Sequence, residues 1–195
     1  MLVGYEANNA MRNDQELGDY SRELIARLAS KYIGSYRALL FSTRIKDEYS
    51  KYYSGDSNVS TYVPVGNAKM LPSAWIRYKL NPMLQGEKVK IFHGLNEELP
   101  YGIEDNIATV ITCYNPGQHK CNSMLDSLLW KHRMKYSLER ADRIVAVSDE
   151  IRQQLIADGV SEEKIVVIGG KDNPMEITDE VVKKYFEIYQ SLVEE

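Results

Sequence analysis

Seven short runs rich in β-branched and apolar residues alternate with longer stretches of helical periodicity. Several of these runs, such as "IATVIT", "RIVAV" and "KIVVI", are apolar on both faces, which is typical of strands covered by helices on each side. We therefore predict an α/β fold with a doubly wound, mainly parallel sheet of about seven strands and right-handed crossovers. The predicted strands are Leu2–Tyr5, Tyr36–Phe41, Val59–Val63, Val89–Phe92, Ile107–Thr112, Arg143–Val147 and Ile165–Ile168.

Two stretches between these strands show the apolar spacing of amphipathic helices. In "YSRELIARLASKY" the apolar stripe comprises Leu24, Ile25, Leu28 and Ala29. In "SMLDSLLWKHRMKYSLERA" we assign the stripe to Leu125, Leu128, Leu129 and Met134.

Size and charge exclude several classes of protein. The 195 residues suit one ordinary domain, predicted to span residues 1–195. A net charge of −4, without a long Lys/Arg block, argues against nucleic-acid binding. Because there is no window of about 18 apolar residues and no basic segment followed by an apolar run, we expect no transmembrane segment, no signal peptide and a cytoplasmic location.

Polar residues stand at the carboxyl ends of two predicted strands. The stretch "KIFHGLNEELPYGI" runs from an apolar strand directly into His93 and the polar residues 96–98, and the loop of residues 7–17 follows the first strand. In doubly wound sheets ligands bind outside the carboxyl ends of the strands. These groups could hydrogen-bond a hydroxyl-rich substrate, with His93 donating to a developing charge. The alternative is an ordinary surface turn with His93 packed against the strand end.

The segment "NDQELGDYSREL" joins the first strand to the first long helix, which we expect to begin near Asp19. Gly18 allows close approach of the backbone, and the free N–H groups of the helix start could bind an anion or a sugar hydroxyl. The alternative is a plain loop in which Asp19 caps the helix.

The segment "CYNPGQHKC" carries Cys113, His119 and Cys121. A zinc site could use these three side chains, but their spacing is not of the C-x₂-C type and a fourth ligand is missing. A disulfide across the Pro116–Gly117 turn is a second possibility. Free thiols are the favoured interpretation, so we predict no metal site and no cofactor.

The last segment, "ITDEVVKKYFEIYQSLVEE" (residues 177–195), is predicted to be a helix that packs back on the domain near its N-terminal helices. Thr178 can cap this helix, and acidic residues in its first turn suit the helix dipole. Its wide apolar surface comprises Val181, Val182, Tyr185, Phe186, Ile188, Tyr189 and Leu192.

Three segments in order resemble family 4 glycosyltransferases of the GT-B fold. "ADRIVAVSDEIRQQLIADGVSEEKIVVI" is similar to the two strands, A-D-x-I-I-A-V-S and K-I-x-V-I, that end the N-terminal domain of that family. "IFHGLNEELPYGI" and "ELGDYSREL" are similar to the "HGLSNELP" and "GLGNYSR" segments of a bacterial branch. The resemblance covers Met1 to about Ile168 and implies a Rossmann-like domain that holds the sugar acceptor. Such enzymes transfer sugar from a nucleotide sugar with retention, usually without a required metal.

The resemblance also implies which residues border the substrate cleft. Gly18 matches the second glycine of the cleft loop, and the first helix opens at Tyr20 and Arg22. His93, Asn96 and Glu97 would lie on the acceptor side. Three positions depart from the family pattern, since Glu16 replaces the first glycine, and Cys113 and Tyr114 stand where the family has a His-Asp pair. The predicted substrate-binding residues are Glu16, Gly18, Tyr20, Arg22, His93, Asn96, Glu97 and Tyr114, with no catalytic residue assigned.

The resemblance further implies that the donor-binding domain is missing, with the returning C-terminal helix (residues 177–195) joined after "KIVVIGG". We therefore expect the isolated acceptor-side domain of a retaining nucleotide-sugar glycosyltransferase, inactive alone. Two alternatives remain: half of a split enzyme that needs a separate donor-binding chain, and a non-catalytic binding module that uses the "CYNPGQHKC" loop.

Overall fold

The computed structural model describes residues 1–53, 58–64, 72–115, 123–170 and 173–194. Its centre is one seven-stranded sheet with the strand order β3-β2-β1-β4-β5-β6-β7, in which every neighbouring pair is parallel. The strands are β1 (Leu2–Glu6), β2 (Arg37–Phe41), β3 (Val59–Tyr62), β4 (Ile91–Gly94), β5 (Ala108–Cys113), β6 (Arg143–Ala146) and β7 (Ile165–Val167).

The predicted α/β fold is confirmed, and every predicted strand overlaps an observed one. The sheet is wholly parallel where a mainly parallel one was predicted. The strand order reverses between β1 and β4, because β2 and β3 extend the sheet on one side of β1 and β4 to β7 extend it on the other. Sheets of this type bind ligands at such a reversal, outside the carboxyl ends of the strands.

Eight α-helices connect or flank the strands within the described ranges. They are α1 (Asn8–Arg12), α2 (Glu16–Lys31), α3 (Asp47–Ser50), α4 (Pro72–Lys79), α5 (Asn81–Gly86), α6 (Met124–Arg140), α7 (Asp149–Ala157) and α8 (Asp179–Glu194). None of the described helices is both long and apolar enough to cross a membrane.

Two hydrophobic clusters cover the two faces of the sheet. On one face, α1, α2 and α8 pack against the alternate strand residues Val3, Tyr5, Ile91 and Val110. On the other face, α4, α5, α6 and α7 pack against residues such as Phe92 and Ile111. The predicted stripe of α2 is buried in the first cluster. Burial on both faces explains why the central strands are apolar at successive positions.

Helix α8 begins after Thr178, whose hydroxyl oxygen accepts a hydrogen bond from the backbone N–H of Val181. The helix lies against α2 and the sheet, with Phe186 stacked on Tyr32 at a ring separation of 3.5 Å. Its buried residues are Val181, Val182, Tyr185, Phe186, Ile188 and Tyr189.

The apolar stripe assigned to α6 is wrong. Met134 is buried, but Leu125, Leu128 and Leu129 are 65%, 64% and 51% exposed. At 3.6 residues per turn, Leu125 and Met134 are separated by about 180° around the helix and cannot share a face. The inward face of α6 is formed by Met134 and Ser137, and no described side chain in residues 124–133 is buried.

Helix α2 begins at Glu16, three residues before the predicted start. Asp19 therefore lies in its first turn and does not cap it. The N-cap residue is Gln15, whose side chain makes no capping hydrogen bond. Asp19 instead pairs with Arg22, one turn further along the helix.

Candidate functional site

The carboxyl ends of β1 and β2 are joined by a hydrogen-bonded set of buried and half-buried polar side chains. Glu6 Oε1 accepts from the backbone N–H of Asn8 at 3.0 Å and from Asn8 Nδ2 at 2.5 Å. Asn8 Oδ1 in turn accepts from Ser42 Oγ at 3.2 Å, and from Thr43 N and Oγ1, each at 3.1 Å. This set holds the β1–α1 and β2–α3 loops in one fixed arrangement.

Glu6 is the least satisfied member of this set. Its side chain is fully buried, and Oε2 has no hydrogen-bond partner among the described residues. Burial, with a smaller contribution from the nearby charge of Glu98, raises the pKa of Glu6 to about 7. The carboxyl group is therefore divided between its neutral and charged forms near neutral pH, a property that is frequent in functional sites.

The first turn of α2 is tightly packed around Gly18 and Arg22. A Cβ atom at Gly18 would collide with the carbonyl oxygen of Asn13, so the close approach that this glycine permits is to the protein's own backbone. Arg22 is buried and donates through Nη1 to the carbonyl oxygens of Ala10 and Asn13, each at 2.9 Å. Its guanidinium also lies 3.9 Å from the centre of the Tyr49 ring. Arg22 therefore organises the loop, while Glu16 is exposed at the start of the helix.

The loops after β4 and β5 meet α2 through Glu97, Tyr114 and Tyr20. Glu97 has a positive φ of 67°, and its Oε1 accepts from the backbone N–H groups of Tyr114 at 2.8 Å and Asn115 at 3.1 Å. The ring of Tyr114 packs edge-on against that of Tyr20, with ring centres 5.4 Å apart. Burial raises the pKa of the Glu97 carboxyl group, although the two hydrogen bonds oppose this shift. Glu97 thus connects the two loops.

Asn96 and Glu98 flank Glu97. Asn96 is half-buried, and its Oδ1 lies 3.4 Å from the backbone nitrogen of Glu98, which donates to it. The Glu98 carboxylate lies between two cations, 3.6 Å from Arg77 Nε and 3.4 Å from Arg133 Nε. This arrangement ties the β4 loop to α4 and α6.

His93, at the carboxyl end of β4, lies in the core. It is fully buried, with Nδ1 2.6 Å from the Tyr189 hydroxyl and Nε2 2.7 Å from Thr112 Oγ1. Tyr5 donates to Tyr189 at 3.0 Å, and Thr112 Oγ1 lies 3.1 Å from the Tyr185 hydroxyl. The hydrogen-bonded chain extends from Tyr36 to Tyr20 through these groups.

The donor directions define the protonation of His93. Because Tyr5 donates to Tyr189, the Tyr189 proton is available for Nδ1 of His93, and Nε2–H donates to Thr112. Burial lowers the pKa of His93 to about 3, so the ring is neutral at neutral pH. With both nitrogens bonded and no exposed surface, His93 supports the fold at this position and does not face solvent.

Cys113 is a buried free thiol at the end of β5, and burial raises its pKa. His119 and Cys121 lie outside the described residues, so the predicted choice among free thiols, a disulfide and a metal site applies to a segment that the structure does not describe. Among the described residues no group of three or more His, Cys, Asp or Glu side chains could hold a metal ion.

The structure therefore brings together some of the predicted residues. Tyr20, Glu97 and Tyr114 are joined by contacts at the carboxyl edge, whereas His93 belongs to the tyrosine chain beneath it. Glu6, Asn8 and the two tyrosines of α8 are not among the site residues predicted from the sequence. A usable signal for Glu6 was a carboxylate directly after the apolar run "LVGY".

Known structures share this architecture. UDP-N-acetylglucosamine 2-epimerase from Rickettsia bellii is 13% identical, with a TM-score of 0.51, and the match covers 97% of this chain and 48% of the epimerase. HepE from Anabaena, solved with UDP and glucose, is 10% identical with a TM-score of 0.52, and the match covers 96% of this chain and 50% of HepE. The chain thus spans about half the length of these structures. At such identities the likeness shows the fold alone.

No curated protein matches the sequence significantly. The model of Glycosyltransferase Family 4 matches residues 20–170, which include most of α2, strands β2 to β7 and the loops that carry Glu97 and Tyr114. Since that match spans well over half of the chain, this protein belongs to glycosyltransferase family 4.

Proposed function

We propose that the chain is the acceptor-side half of a retaining nucleotide-sugar glycosyltransferase and does not transfer sugar alone. The observation that carries this proposal is the family match over residues 20–170, together with the polar loops at the carboxyl edge of a parallel sheet. Glu97, Tyr114 and Tyr20 connect three of the elements at that edge. Of these three, Tyr114 is only half-buried, and an aromatic ring at this edge suits contact with a sugar.

The side chains at the carboxyl end of β5 support the absence of catalysis. Cys113 and Tyr114 occupy the positions where the resembling enzymes carry a histidine and an aspartate. The Cys113 thiol is buried, and burial raises the pKa values of both Cys113 and Tyr114, so both groups stay neutral. The buried His93 has both ring nitrogens in hydrogen bonds and cannot take a proton from a substrate. None of these three side chains can therefore act as a general base at the carboxyl end of β5.

The length of the chain bears on where the nucleotide-sugar donor would bind. The chain spans about half the length of the matched structures, one of which is a complex with UDP and glucose. In a glycosyltransferase built of two domains, the donor phosphates need cationic partners and helix-end amides to stabilise the charge that develops on transfer. We propose that these groups belong to a donor-binding domain outside this chain, and that α8 is the helix that returns to the acceptor side.

Binding and transfer assays test this proposal separately. We expect the chain to bind simple glycans by calorimetric titration and to show no micromolar binding of UDP-glucose or other nucleotide sugars. We also expect no transfer product from a panel of radiolabelled nucleotide sugars. Micromolar binding of a nucleotide sugar, or a product that a Tyr114→Phe or Glu97→Gln variant abolishes, would contradict the proposal.

A second candidate function is half of a split enzyme that works with a separate donor-binding chain. The exposed apolar face of α6, which we call the α6 patch, favours it. This patch comprises Met124, Leu125, Leu128 and Leu129, of which Met124 is 90% exposed. It lies in the first two turns of α6, the helix that follows β5 in the sequence. Contiguous exposed apolar side chains are typical of an interaction surface.

The split-enzyme candidate is tested by adding a purified donor-binding domain of a family 4 enzyme in trans. Transfer that requires both chains, and that falls in a Leu125→Ser/Leu128→Ser variant with unchanged melting temperature, would support it. An Ile33→Ser variant is the matched control, because Ile33 is 74% exposed and lies outside the α6 patch. Equal losses in both variants would count against a role for the patch.

A further inference from the structure

We propose that the depression beside the β1–α1 and β2–α3 loops binds an anionic group, a phosphate or a carboxylate, carried by the sugar acceptor. This inference rests on the proposed acceptor-binding function and specifies the chemical class of the acceptor. The depression has a volume of about 560 Å³ and is lined by Arg12, Arg44, Ile45, Lys46, Asp47 and Glu48. It contains none of the site residues predicted from the sequence.

The two loops that form this depression are fixed to each other. Arg12 Nη1 donates to Thr43 Oγ1 at 3.3 Å, and Thr43 is held by Asn8. The carbonyl oxygen of Arg44 accepts from Ser42 Oγ at 2.7 Å, and the backbone N–H of Lys46 donates to the carbonyl oxygen of Met11 at 3.0 Å. A ligand that binds here does not need to order the loops, and this lowers the entropic cost of binding.

Two cations of this depression are not neutralised by neighbours. Neither Arg12 nor Arg44 has a carboxylate oxygen within 4.0 Å among the described residues, whereas Arg77 and Arg133 both pair with Glu98. Lys46 is different, because it lies 2.5 Å from Asp14 and 3.7 Å from Glu48. The positive charge that remains for a ligand is therefore that of the two guanidinium groups.

The acidic residues of the rim do not cancel this charge. The Glu48 carboxylate forms an ion pair with Lys46, and Asp47 is exposed at the start of α3. The Glu6 carboxyl group is buried, and the charge of Arg12 is the smallest of the influences on its pKa. A guanidinium group presents a planar set of N–H donors that matches the oxygens of a phosphate or carboxylate. Two such groups on fixed loops suit one anionic substituent.

The position of the depression agrees with a role in acceptor binding. Arg12 ends α1, directly after β1, and Arg44 follows the carboxyl end of β2. Both therefore lie on the same edge of the sheet as Glu97 and Tyr114, where a sugar would bind under the proposed function. An acceptor with its sugar near Tyr114 and its anion near Arg12 would extend along this edge past the loops after β5, β4 and β1, which follow one another in the strand order.

Titration of the full chain with small sugars tests this inference. The probes are glucose, glucose 6-phosphate, glucuronate and inorganic phosphate, measured by calorimetry at low ionic strength. We expect at least one of the two anionic sugars to bind at least about tenfold more tightly than glucose, and the stronger of the two identifies phosphate or carboxylate as the preferred group. Added salt should weaken the anionic sugars and leave glucose unaffected.

Two variants test whether the preference for anionic sugars comes from Arg12 and Arg44 or from the overall charge of the protein. An Arg12→Gln/Arg44→Gln variant should lose the tenfold preference, whereas Arg37→Gln should keep it. Arg37 is the matched control because it is exposed, forms no ion pair with a described residue, and starts β2 at the opposite edge of the sheet. Melting temperatures of all variants should confirm that they fold.

The possible outcomes distinguish the two proposals. Glucose that binds as tightly as both anionic sugars, or a preference that Arg37→Gln also removes, overturns the anion site and leaves the acceptor function standing. Inorganic phosphate that binds at Arg12 and Arg44 while no sugar binds more tightly than phosphate overturns the acceptor function and supports an anion site alone. If none of the four probes binds, both proposals are overturned.

Discussion

His93 Nδ1 lies 2.6 Å from the hydroxyl oxygen of Tyr189, so a central strand and the last helix of the chain are joined by a buried hydrogen bond. The same helix provides Tyr185, whose hydroxyl lies 2.9 Å from that of Tyr20 and 3.1 Å from Thr112 Oγ1. Helix α8 therefore completes the polar interior of the domain as well as its apolar core. Removing one partner from such a network leaves other buried groups unsatisfied.

Replacing Tyr189 by Phe tests this network. The variant keeps the ring but removes the proton donor to His93 and the acceptor for Tyr5. We expect the free energy of unfolding to fall by about 1–3 kcal/mol, which corresponds to several degrees of melting temperature. Tyr78→Phe is the control, because Tyr78 is exposed, and it should melt like the wild type. Equal melting of both variants would show that the network contributes nothing to stability.

Deleting residues 177–195 removes the whole of α8. Burial of each large apolar side chain contributes about 1.5–3 kcal/mol, and α8 buries several of them, so the loss is a large part of a typical total stability. We expect a melting temperature lower by many degrees, or an insoluble protein, measured by circular dichroism and by soluble yield. A truncated chain that melts like the wild type would mean that α8 is a dispensable tail.

The Glu6→Gln variant tests the buried carboxyl group through its pH dependence. The pKa of Glu6 in the folded protein is about 7, above the usual 4.5. The contribution of the protonated Glu6 to folding stability is therefore fully present below pH 4.5 and is lost as the pH rises through 7. Gln retains an oxygen for Asn8 but does not titrate. The variant should therefore gain stability relative to the wild type between pH 5 and pH 8, by at most about 3 kcal/mol.

Thermal melting across this pH range measures the gain. His93, whose folded pKa of about 3 lies below the usual 6.5, loses its contribution as the pH falls, but it does so in both proteins and cancels in the comparison. Glu104→Gln, at an exposed position, should reproduce the wild-type profile. A stability difference that is constant with pH would contradict a raised pKa at Glu6.

Gly18→Ala should destabilise the protein strongly. The new Cβ would collide with the carbonyl oxygen of Asn13, which accepts a hydrogen bond from Arg22, so the loop must shift and this bond must weaken. We expect a loss of about 1–3 kcal/mol in a denaturant titration. In Gly86→Ala the added Cβ meets no atom within 4 Å, so this change at the end of α5 should be neutral or stabilising. The opposite ranking would contradict the packing around Gly18.

Alanine variants on the two faces of α6 should differ in stability. Met134→Ala removes a buried side chain and should cost about 2–5 kcal/mol. Leu128→Ala changes an exposed side chain of the α6 patch and should stay within about 0.5 kcal/mol of the wild type. Chemical denaturation of both variants is the measurement. A large loss at Leu128 would indicate that the first two turns of α6 pack against the protein.

The sequence by itself determined the strands, their order along the chain, the stripe of α2 and the family. These features depend on local patterns, such as two-sided apolar strands and helical spacing, which each segment carries within itself. Gly18 could likewise be recognised as a point of close backbone approach. The atom that it approaches, the carbonyl oxygen of Asn13, could not be recognised from the sequence.

Only the tertiary structure decided the environment of individual side chains. His93 stands at a strand exit in the sequence, but its burial depends on Tyr189, which lies 96 positions further along the chain. The three leucines of α6 look like core residues, yet they are exposed because the inward face of that helix is set by where it meets the sheet. Glu6 owes its raised pKa to burial between loops that are distant in sequence. Burial and hydrogen bonding arise from contacts between remote segments, and a local pattern does not contain them.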